Sequence, residues 1–446
     1  MRPPRLPAVS LFSNCGAGDV GYARAGFRFK VLGELEQRRL DVAALNHPEA
    51  DPIVGDLRVT WPTVVASYRR SMGDEPPALL SACPPCQGLS SAQSRRGSAD
   101  DADAGSRDTR NLLVEVIADV ARELAPRVIV VENVVAFMTR KVRHPDSDEP
   151  ISAARLLVDR LDEDYASFAL RTNLADFGVP QTRRRAFIVL VRRGEPALQR
   201  MVDASRAPFP AATHGPGTEQ PHVTLSTALA ALAAGSLDAR DAASAGTGMH
   251  RVPVWDDDRY RMVATIPPDN GGSAWTNSEC ARCGDVEAGH EAAVCPRCGR
   301  ALPRPVVRRD GRWRLIHGFR NSSYRRMPPD RPAAAITTAS GRSGSDYTLH
   351  PSENRVLSML ECQHLQTIPD TFNWGDHLNT HGHTSLRAMI GEAVPPQFTE
   401  LHGRLLASML DGRVPRRSLS TDDPRTRSAD TQLLHEAPSN GMPLGA

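Results

Sequence analysis

The chain has 446 residues, enough for about two to three domains with a core that needs no disulfide bonds. Its formal net charge is only +2 at pH 7, so local clusters rather than total charge must indicate any nucleic-acid partner. Because no window approaches 18 consecutive apolar residues and Met1–Arg5 lacks the apolar core of a signal peptide, we expect a soluble cytoplasmic protein with reduced, catalytic or metal-bound cysteines.

The first predicted unit is a strand, a glycine-rich loop and a helix. A buried strand at residues 7–12 precedes Gly16-x-Gly18-x-x-Gly21, and helical sequence follows directly. Glycines at this spacing let the backbone approach a bound dinucleotide. Glu34 ends the second predicted strand, where a carboxylate can accept hydrogen bonds from two ribose hydroxyls. The pattern predicts an adenosine-type cofactor, and NAD and S-adenosylmethionine fit it alike.

Asp56 follows a third short apolar run and allows two interpretations. Its carboxylate would suit the amino group of an adenine ring. An aspartate in this position also commonly caps a loop or helix, so both interpretations stay open.

A cysteine on a proline turn is the strongest catalytic candidate. The apolar run at residues 77–82 predicts a strand, and Pro84-Pro85-Cys86 follows its end. The two prolines have fixed φ angles, which hold the following thiol in a defined direction. The thiol is a candidate nucleophile, and a buried structural cysteine is the alternative. Cys83 completes a C-x-x-C pair, which also admits a redox function.

Two later strands carry polar residues at their ends. Glu132 follows the apolar strand 127–131, and Arg183 and Arg185 precede the strand 186–191. Ligands of open α/β sheets bind beyond the carboxyl ends of the strands, and alternation sends both arginines to one side. A solvated charge run is the ordinary interpretation of adjacent arginines. Together with a thiol, a carboxylate and a cofactor loop, they instead indicate electrophilic methyl transfer.

Strands alternate with helical patterns over the first 200 residues, which predicts an α/β fold with a doubly wound, mostly parallel sheet covered on both faces. From about residue 204 the composition becomes rich in Pro, Gly, Ala and Ser, and helical periodicity returns at 352–367 and 397–410. The predicted divisions are a core at 6–205, a smaller inserted domain at 206–325, a return to the core at 326–410 and a disordered tail at 411–446.

The inserted segment contains two C-x-x-C pairs, formed by Cys280, Cys283, Cys295 and Cys298. Four thiolates at this spacing suit tetrahedral zinc, and Gly284 and Gly299 permit tight turns that aim the sulfurs inward. Two disulfides are the alternative, which a reducing compartment disfavours. Because four protein ligands leave no open coordination position, we expect a structural metal.

A basic segment follows the cysteines. Residues 308–326 contain seven arginines against one acid, Asp310, with Trp313, Phe319 and Tyr324 between them. Guanidinium groups suit phosphates and guanine edges, and aromatic rings can stack on bases. The segment predicts a nucleic-acid contact, and a basic surface hairpin without that function is the alternative.

In their chain order these motifs resemble those of the cytosine-C5 DNA methyltransferases. The resemblance covers most of residues 6–200 and 325–410. It is carried by Leu11–Gly21, Glu34, Asp56, Pro84–Gly88, Arg107–Asn111, Glu132–Val134, Gln181–Arg185, Arg331–Thr338 and Gly391–Pro396. It implies S-adenosylmethionine as cofactor, duplex DNA as substrate, and residues 206–325, with their zinc site, as the target-recognition domain. We expect a monomer, and genome context decides whether a restriction or phage-defence protein is its partner.

The resemblance also implies a role for each site residue. Cys86 adds to C6 of a cytosine flipped out of the duplex, and the polar segment 89–105 has the composition of a loop that closes over it. Glu132 binds the N3 edge and the exocyclic amine, Arg185 contacts O2, and Arg183 supports the thiol and base. The implied cofactor-binding residues are Phe12, Asn14, Cys15, Gly16, Gly18, Glu34, Asp56, Leu57, Pro84, Leu113, Glu392, Ala393 and Val394.

Three residues depart from the family's usual pattern. Asn14 and Cys83 stand where glycine is common, and Glu392 stands where the last motif usually carries Asn. Because Glu392 lies near the cofactor in the family, we expect it to change cofactor affinity rather than reaction type.

Two alternative functions stay open from the sequence. The first is an RNA (tRNA) cytosine-5 methyltransferase with a similar catalytic core. The long inserted segment favours duplex DNA over RNA as the substrate. The second is a non-catalytic, zinc-containing DNA-binding protein with a degenerate cofactor fold. The intact set of Cys86, Glu132, Arg183 and Arg185 argues against the second.

Overall fold

The computed structural model describes residues 6–85, 109–139, 141–316 and 322–426. A seven-stranded sheet lies at its centre, in the order β3-β2-β1-β4-β5-β7-β6. Its strands are β1 (Leu6–Leu11), β2 (Phe27–Glu34), β3 (Asp51–Val54), β4 (Leu79–Ala82), β5 (Val128–Asn133), β6 (Tyr165–Asn173) and β7 (Arg184–Arg192). The first five strands pair in parallel, and β7 runs antiparallel to both of its neighbours. The predicted doubly wound, mostly parallel α/β sheet is confirmed.

Helices cover both faces of this sheet. The helices of the described ranges are α1 (Ala17–Arg24), α2 (Gln37–Asn46), α3 (Leu57–Met72), α4 (Val114–Leu124), α5 (Ala153–Asp159), α6 (Pro196–Asp203), α7 (Leu225–Leu232), α8 (Asp257–Ala264), α9 (Met359–Leu365), α10 (His377–Glu392) and α11 (Pro396–Leu410). One face packs on α3, α4 and α5, and the opposite face packs on α1, α2 and α11. None of the helices in the described ranges has the length and apolar sequence that crossing a bilayer requires.

The shorter elements lie outside the central sheet. Six two-stranded pairs are formed by Lys141–Arg143 with Pro150–Ser152, Gln181–Thr182 with Ala333–Ala334, Arg206–Pro210 with Ser418–Ser420, Gly246–Thr247 with His250–Arg251, Glu279–Cys280 with Gly284–Asp285, and Val306–Arg309 with Arg312–Leu315. Single turns of 3₁₀ helix occur at Thr109–Leu112, Val135–Met138, Leu174–Phe177 and Ala274–Thr276.

The composition of β5 explains its central position. All six of its residues are buried, and the run from Val128 to Val131 is entirely β-branched and apolar. A parallel strand covered on both faces needs such a continuous apolar sequence. The strand therefore delivers Glu132, its fifth residue, to the carboxyl edge of the sheet.

The segment after the insertion packs against the first helix unit. A Cβ on Gly21 of α1 would lie 2.0 Å from the Thr399 hydroxyl oxygen of α11, so only glycine allows this close approach. Phe398 of the same helix packs on Phe177 and Phe187, with ring centroids 4.9 and 4.7 Å away. Gly21 of the cofactor fingerprint thus serves helix packing.

Several elements of the structure have no counterpart in the sequence prediction, among them strand β6 and helices α2, α3 and α10. Within the segment expected to be a disordered tail, Ser418–Ser420 pairs antiparallel with Arg206–Pro210, because Ser418 and Leu419 are buried there. Residues 427–446 lie outside the described part of the chain.

Candidate active site

A cavity of about 1440 Å³ opens at the carboxyl ends of β1, β2, β4 and β5. In an open α/β sheet this edge is where ligands bind, because the loops after parallel strands converge there. The insertion and the returning segment also contribute to the wall, through Trp255, Tyr324 and residues 335–346. The core, the insertion and the returning segment therefore face one cavity.

The loop after β1 forms one wall of this cavity. Gly16 has φ +74°, and a Cβ there would lie 2.9 Å from the His47 ring, so the turn requires glycine. Asn14 also has a positive φ, 50°, which asparagine tolerates better than most residues. The asparagine that departs from the family's glycine therefore keeps the conformation that glycine would adopt.

Most predicted cofactor residues line the cavity. They are Phe12, Asn14, Gly18, Glu34, Asp56, Leu57, Pro84, Leu113, Glu392, Ala393 and Val394. Cys15 and Gly16 lie behind its wall, and burial raises the pKa of the Cys15 thiol to about 12. The Cys15 side chain therefore does not face the cavity.

Glu34 lies at the carboxyl end of β2 with its side chain buried. One carboxylate oxygen accepts the backbone N–H of Asn14 at 2.8 Å, and the other accepts that of Glu36 at 3.2 Å. Burial raises the pKa of this carboxyl above its ordinary value, and the two hydrogen bonds oppose the rise. Each oxygen keeps a second acceptor position for a ligand hydroxyl.

Asp56 caps a helix. Its carboxylate accepts the backbone N–H of Arg58 at 3.0 Å at the start of α3 and pairs with the same residue's guanidinium. The hydrogen bonds from Arg58 lower the pKa of the carboxyl. The capping interpretation is confirmed, and Asp56 also stands on the cavity wall.

Glu132 is held by two side chains from other parts of the sheet edge. The Cys83 thiol donates to one carboxylate oxygen at 2.8 Å, and Nε of Arg185 lies 2.7 Å from the other. Only 6% of Glu132 is exposed. The carboxylate is thus fixed in direction, with a cation beside it, on the wall of the cavity.

Asn133 fixes the proline turn that precedes the candidate nucleophile. Its side-chain amide donates to the Pro84 carbonyl at 3.0 Å, and its oxygen accepts the N–H of Val134 at 2.8 Å. These bonds tie the end of β4 to the end of β5. Cys86 and the predicted loop at 89–105 lie outside the described residues.

The contacts of Arg183 differ from the expected ones. The side chain is only 2% exposed, and its guanidinium donates to the backbone carbonyls of Ile336, Gly391 and Ala393 at 3.0–3.1 Å. These partners belong to the returning segment. Arg183 therefore anchors the last two motifs to the start of β7, whereas Arg185 reaches Glu132.

Sequence reasoning also missed Asp19, a buried acid on the cavity wall. The Ser10 hydroxyl donates to its carboxylate at 2.8 Å. Burial raises the pKa of this carboxyl to about 7, and hydrogen bonds from Ser10 and Ser81 moderate the rise. The available signal was an acid in the first turn of the helix after the glycine loop.

The profile of the family described as C-5 cytosine-specific DNA methylase matches residues 6–404. The chain belongs to this family. The recognition made from the motifs is confirmed: the protein is a DNA (cytosine-5) methyltransferase, with S-adenosylmethionine as the family's methyl donor.

Similar proteins span almost the same length as this methylase. It is 26% identical over 414 residues to the type II methyltransferase M1.HgaI of Avibacterium volantium, which covers 89% of this chain and 96% of that protein. It is 25% identical over 461 residues to M.AgeI of Thalassovita gelatinovora, with 91% and 99% covered. A DNA modification methyltransferase encoded within an E. coli prophage shares the fold, with a TM-score of 0.53, 19% identity, and coverage of 91% and 99%.

The methylase also contains a compact cluster of four thiols. The sulfurs of Cys280, Cys283, Cys295 and Cys298 all lie within 4.8 Å of one another. As predicted, the glycines after each pair turn the chain, with φ of +69° at Gly284 and +70° at Gly299. The buried guanidinium of Arg304 donates to the carbonyls of Asn277, Gly289 and Ala292 in the segments around the cluster.

The basic segment divides into two parts. Val306–Arg309 and Arg312–Leu315 form a hairpin with exposed arginines, and Trp313, which pairs with Arg308 in its second strand, is 38% exposed. Arg326 instead is 1% exposed and donates to carbonyls, among them that of Ile266. The basic segment thus includes a surface hairpin, whereas the Arg326 side chain is buried against the insertion. Residues 317–321 lie outside the described part.

Proposed function

We propose that this methylase adds a methyl group to C5 of a cytosine flipped out of duplex DNA, with Cys86 as the nucleophile. The arrangement around Glu132 supports this proposal most directly. A carboxylate, fixed by Cys83 and Arg185, faces the same cavity as the glycine loop and Glu34. Asn133 donates a hydrogen bond to the carbonyl of Pro84, two residues before Cys86 in the sequence.

Each residue then contributes a separate step. The Cys86 thiolate forms a bond to C6, which turns the ring into an enamine with a nucleophilic C5. Glu132 binds the N3 edge and the exocyclic amine as charge moves onto the ring. Arg185 has five N–H donors, so it can hold Glu132 and also contact O2. After transfer, a base removes the C5 proton, the electron pair restores the C5–C6 double bond, and the S–C6 bond breaks to release the Cys86 thiolate.

Arg183 acts through other residues in this scheme. By binding carbonyls of the last two motifs, it keeps the returning segment on the cavity wall. It is therefore proposed as a positioning residue rather than as a group that contacts the base.

The cavity fits S-adenosylmethionine, which supplies an electrophilic methyl group when bound. In this proposal Glu34 accepts hydrogen bonds from the ribose hydroxyls, and Asp56 accepts one from the adenine amine. Gly18 gives the backbone a close approach on the same wall. The further proposed contacts are Phe12, Asn14, Leu57, Pro84, Leu113, Glu392, Ala393 and Val394, all of which line the cavity.

Residues 206–325 are proposed as the target-recognition domain, with zinc bound by its four cysteines. A tetrahedron with Zn–S bonds of about 2.3 Å has S–S edges of about 3.8 Å. The separation of 3.6 Å between Cys280 and Cys298 agrees with that geometry. The exposed arginines of the 306–315 hairpin would contact DNA phosphates.

The similar type II methyltransferases suggest the biological setting. We propose that this methylase modifies host DNA within a restriction-modification or phage-defence system. Base-resolution sequencing of cytosine methylation in a heterologous host that expresses the methylase would give the modified site. Methylation at one short motif supports this setting, and scattered methylation without a motif contradicts it.

One assay tests the reaction. Purified methylase is incubated with tritiated S-adenosylmethionine and unmethylated genomic duplex DNA, and in parallel with tRNA. We expect label in DNA from the wild type and from Cys362→Ala, and none from Cys86→Ser. Label in tRNA alone would support the RNA enzyme, and tight DNA binding without any label would support the non-catalytic alternative.

A further inference from the structure

Arg39 of α2 joins residues that are far apart in the chain. Its guanidinium forms an ion pair with Glu392, the last residue of α10, and Nε lies 3.3 Å from the Glu36 carboxylate. The same guanidinium donates to the side-chain oxygen of Asn14 at 3.4 Å. All of these residues line the proposed cofactor cavity.

Asn14 also binds α10 directly. Its side-chain amide donates to the carbonyl of Met389 in α10 at 2.9 Å. Asn14 thus spans from Arg39 to α10, while its backbone N–H binds Glu34. A glycine in this position would keep the turn but lose both side-chain contacts.

Glu392 needs a cation in this place. A carboxylate at the C-terminal end of a helix is repelled by the partial negative charge of the last carbonyls. The carboxylates of Glu34 and Glu36 lie on the same wall, and the methyl donor itself carries a carboxylate. Without Arg39, an uncompensated charge would face this acidic surface.

We infer that Arg39, Asn14 and Glu392 form a clasp in which Arg39 neutralises Glu392, so that the Glu392 charge does not weaken the binding of S-adenosylmethionine. The clasp explains why two departures from the family pattern occur together: asparagine and glutamate both bind Arg39, which ties the glycine loop to the end of α10. This inference rests on the proposed cofactor site.

A double-mutant cycle tests the clasp by calorimetric titration of S-adenosylmethionine into methylase without DNA. Arg39→Ala should weaken binding at least about tenfold, the change expected when a charged hydrogen-bonded partner is removed. Glu392→Asn should change the dissociation constant less than about threefold, because the neutral amide needs no cation. Adding Arg39→Ala to Glu392→Asn should then cost less than about threefold more.

Matched variants separate the clasp from general damage. Arg38→Ala removes a neighbouring arginine that pairs only with Glu36 among these acids, and it should leave affinity unchanged. Arg39→Lys keeps the charge and should recover most of the affinity that Arg39→Ala loses. Melting of each variant without cofactor checks that it is folded.

Three results would overturn the inference. Unchanged affinity in Arg39→Ala would show that the Glu392 charge does not weaken binding when Arg39 is absent. Equal weakening by Arg39→Ala in the wild-type and Glu392→Asn backgrounds would indicate a direct contact of Arg39 with the cofactor. If the wild type itself bound no S-adenosylmethionine, the proposed cofactor site would be rejected, and the clasp with it.

Discussion

The sheet-edge cavity and the cysteine cluster obtain their geometry in different ways. In the cavity, Cys83, Glu132 and Arg185 come from three strand ends and are positioned by extensive apolar cores on both faces of the sheet. The cysteine cluster is local in sequence, and apart from its thiols its buried apolar core consists of Val286 and Leu302, with two alanines partly buried against it.

The two sites therefore depend on different sources of stability. Burial of many apolar side chains can hold polar groups in fixed positions without a ligand. A core as small as that of the cysteine cluster cannot offset the conformational entropy of the loops around it. We therefore expect metal to be necessary for the second region and unnecessary for the first.

Loss of a zinc ligand should have the largest effect. Structural zinc contributes about 10–16 kcal/mol to small metal sites, so Cys295→Ser should lose the bound zinc and local order. Metal analysis should find close to one zinc per chain in the wild type and none in the variant. DNA affinity should fall, while S-adenosylmethionine affinity stays within about twofold.

The matched control for this prediction is Arg297→Ala, which changes an exposed residue between two ligands. It should keep its zinc. A wild-type protein without zinc, with all four thiols open to titration, would contradict the metal assignment. A loss of cofactor binding in Cys295→Ser would show that the two regions are not independent.

Removal of the fixed carboxylate should have the next largest effect. Glu132→Gln should lower the rate of methyl transfer by about 10²- to 10⁴-fold, the usual contribution of a positioned acid or base. Because the apolar cores hold β5 in place, the melting temperature of the Glu132→Gln variant should stay close to that of the wild type. Single-turnover transfer of tritiated methyl measures the rate. Exposed Glu123→Gln is the control, and comparable rates in both variants would refute the role of Glu132.

Buried Asp19 should make stability depend on pH. Its carboxyl has a pKa of about 7 in the folded protein, against 3.8 as the ordinary value, mainly because of burial. Between these values only the unfolded chain releases the proton, so stability falls as pH rises from about 4 to about 7. One pKa unit corresponds to about 1.4 kcal/mol, which sets the fall at roughly 4 kcal/mol or less.

Asp19→Asn should remove this fall. Its melting temperature should be close to that of the wild type at pH 4 and above it at pH 8. Exposed Asp41→Asn should differ from the wild type by the same amount at both pH values. A constant difference for Asp19→Asn across this range would mean that Asp19 does not keep its proton when folded.

Local features of both regions could be predicted from the sequence. The glycine loop, the strand that ends in Glu132 and the cysteine pairs each lie within a few neighbouring residues, where backbone preference and spacing are informative. Asp56 shows the limit of such reasoning, because its capping role was one of two interpretations. Helix α10 was missed because its polar sequence is interrupted at Gly382, which has a non-helical φ of 74°.

Contacts between distant residues could not be predicted. The resemblance gives Arg183 a supporting role beside the thiol and base, and the structure adds hydrogen bonds from its guanidinium to carbonyls 153 and 210 positions away. The sequence does not distinguish Arg39 from other surface arginines, because an arginine on an amphipathic helix is ordinarily solvated. The side chains that hold Glu132 are set by strand order, which places β4 beside β5 and β7 on the other side.

The smallest predicted effect concerns Cys83, which we expect to position Glu132. A thiol is a weak donor, so the bond to the carboxylate should be worth about 1 kcal/mol, and Cys83→Ala should slow single-turnover transfer roughly fivefold. Cys83→Ser keeps a donor and should recover most of that rate, while Cys83→Gly should resemble the alanine variant. If serine and alanine behave alike, packing rather than the hydrogen bond is what Cys83 contributes, and the ion pair with Arg185 is sufficient to orient Glu132.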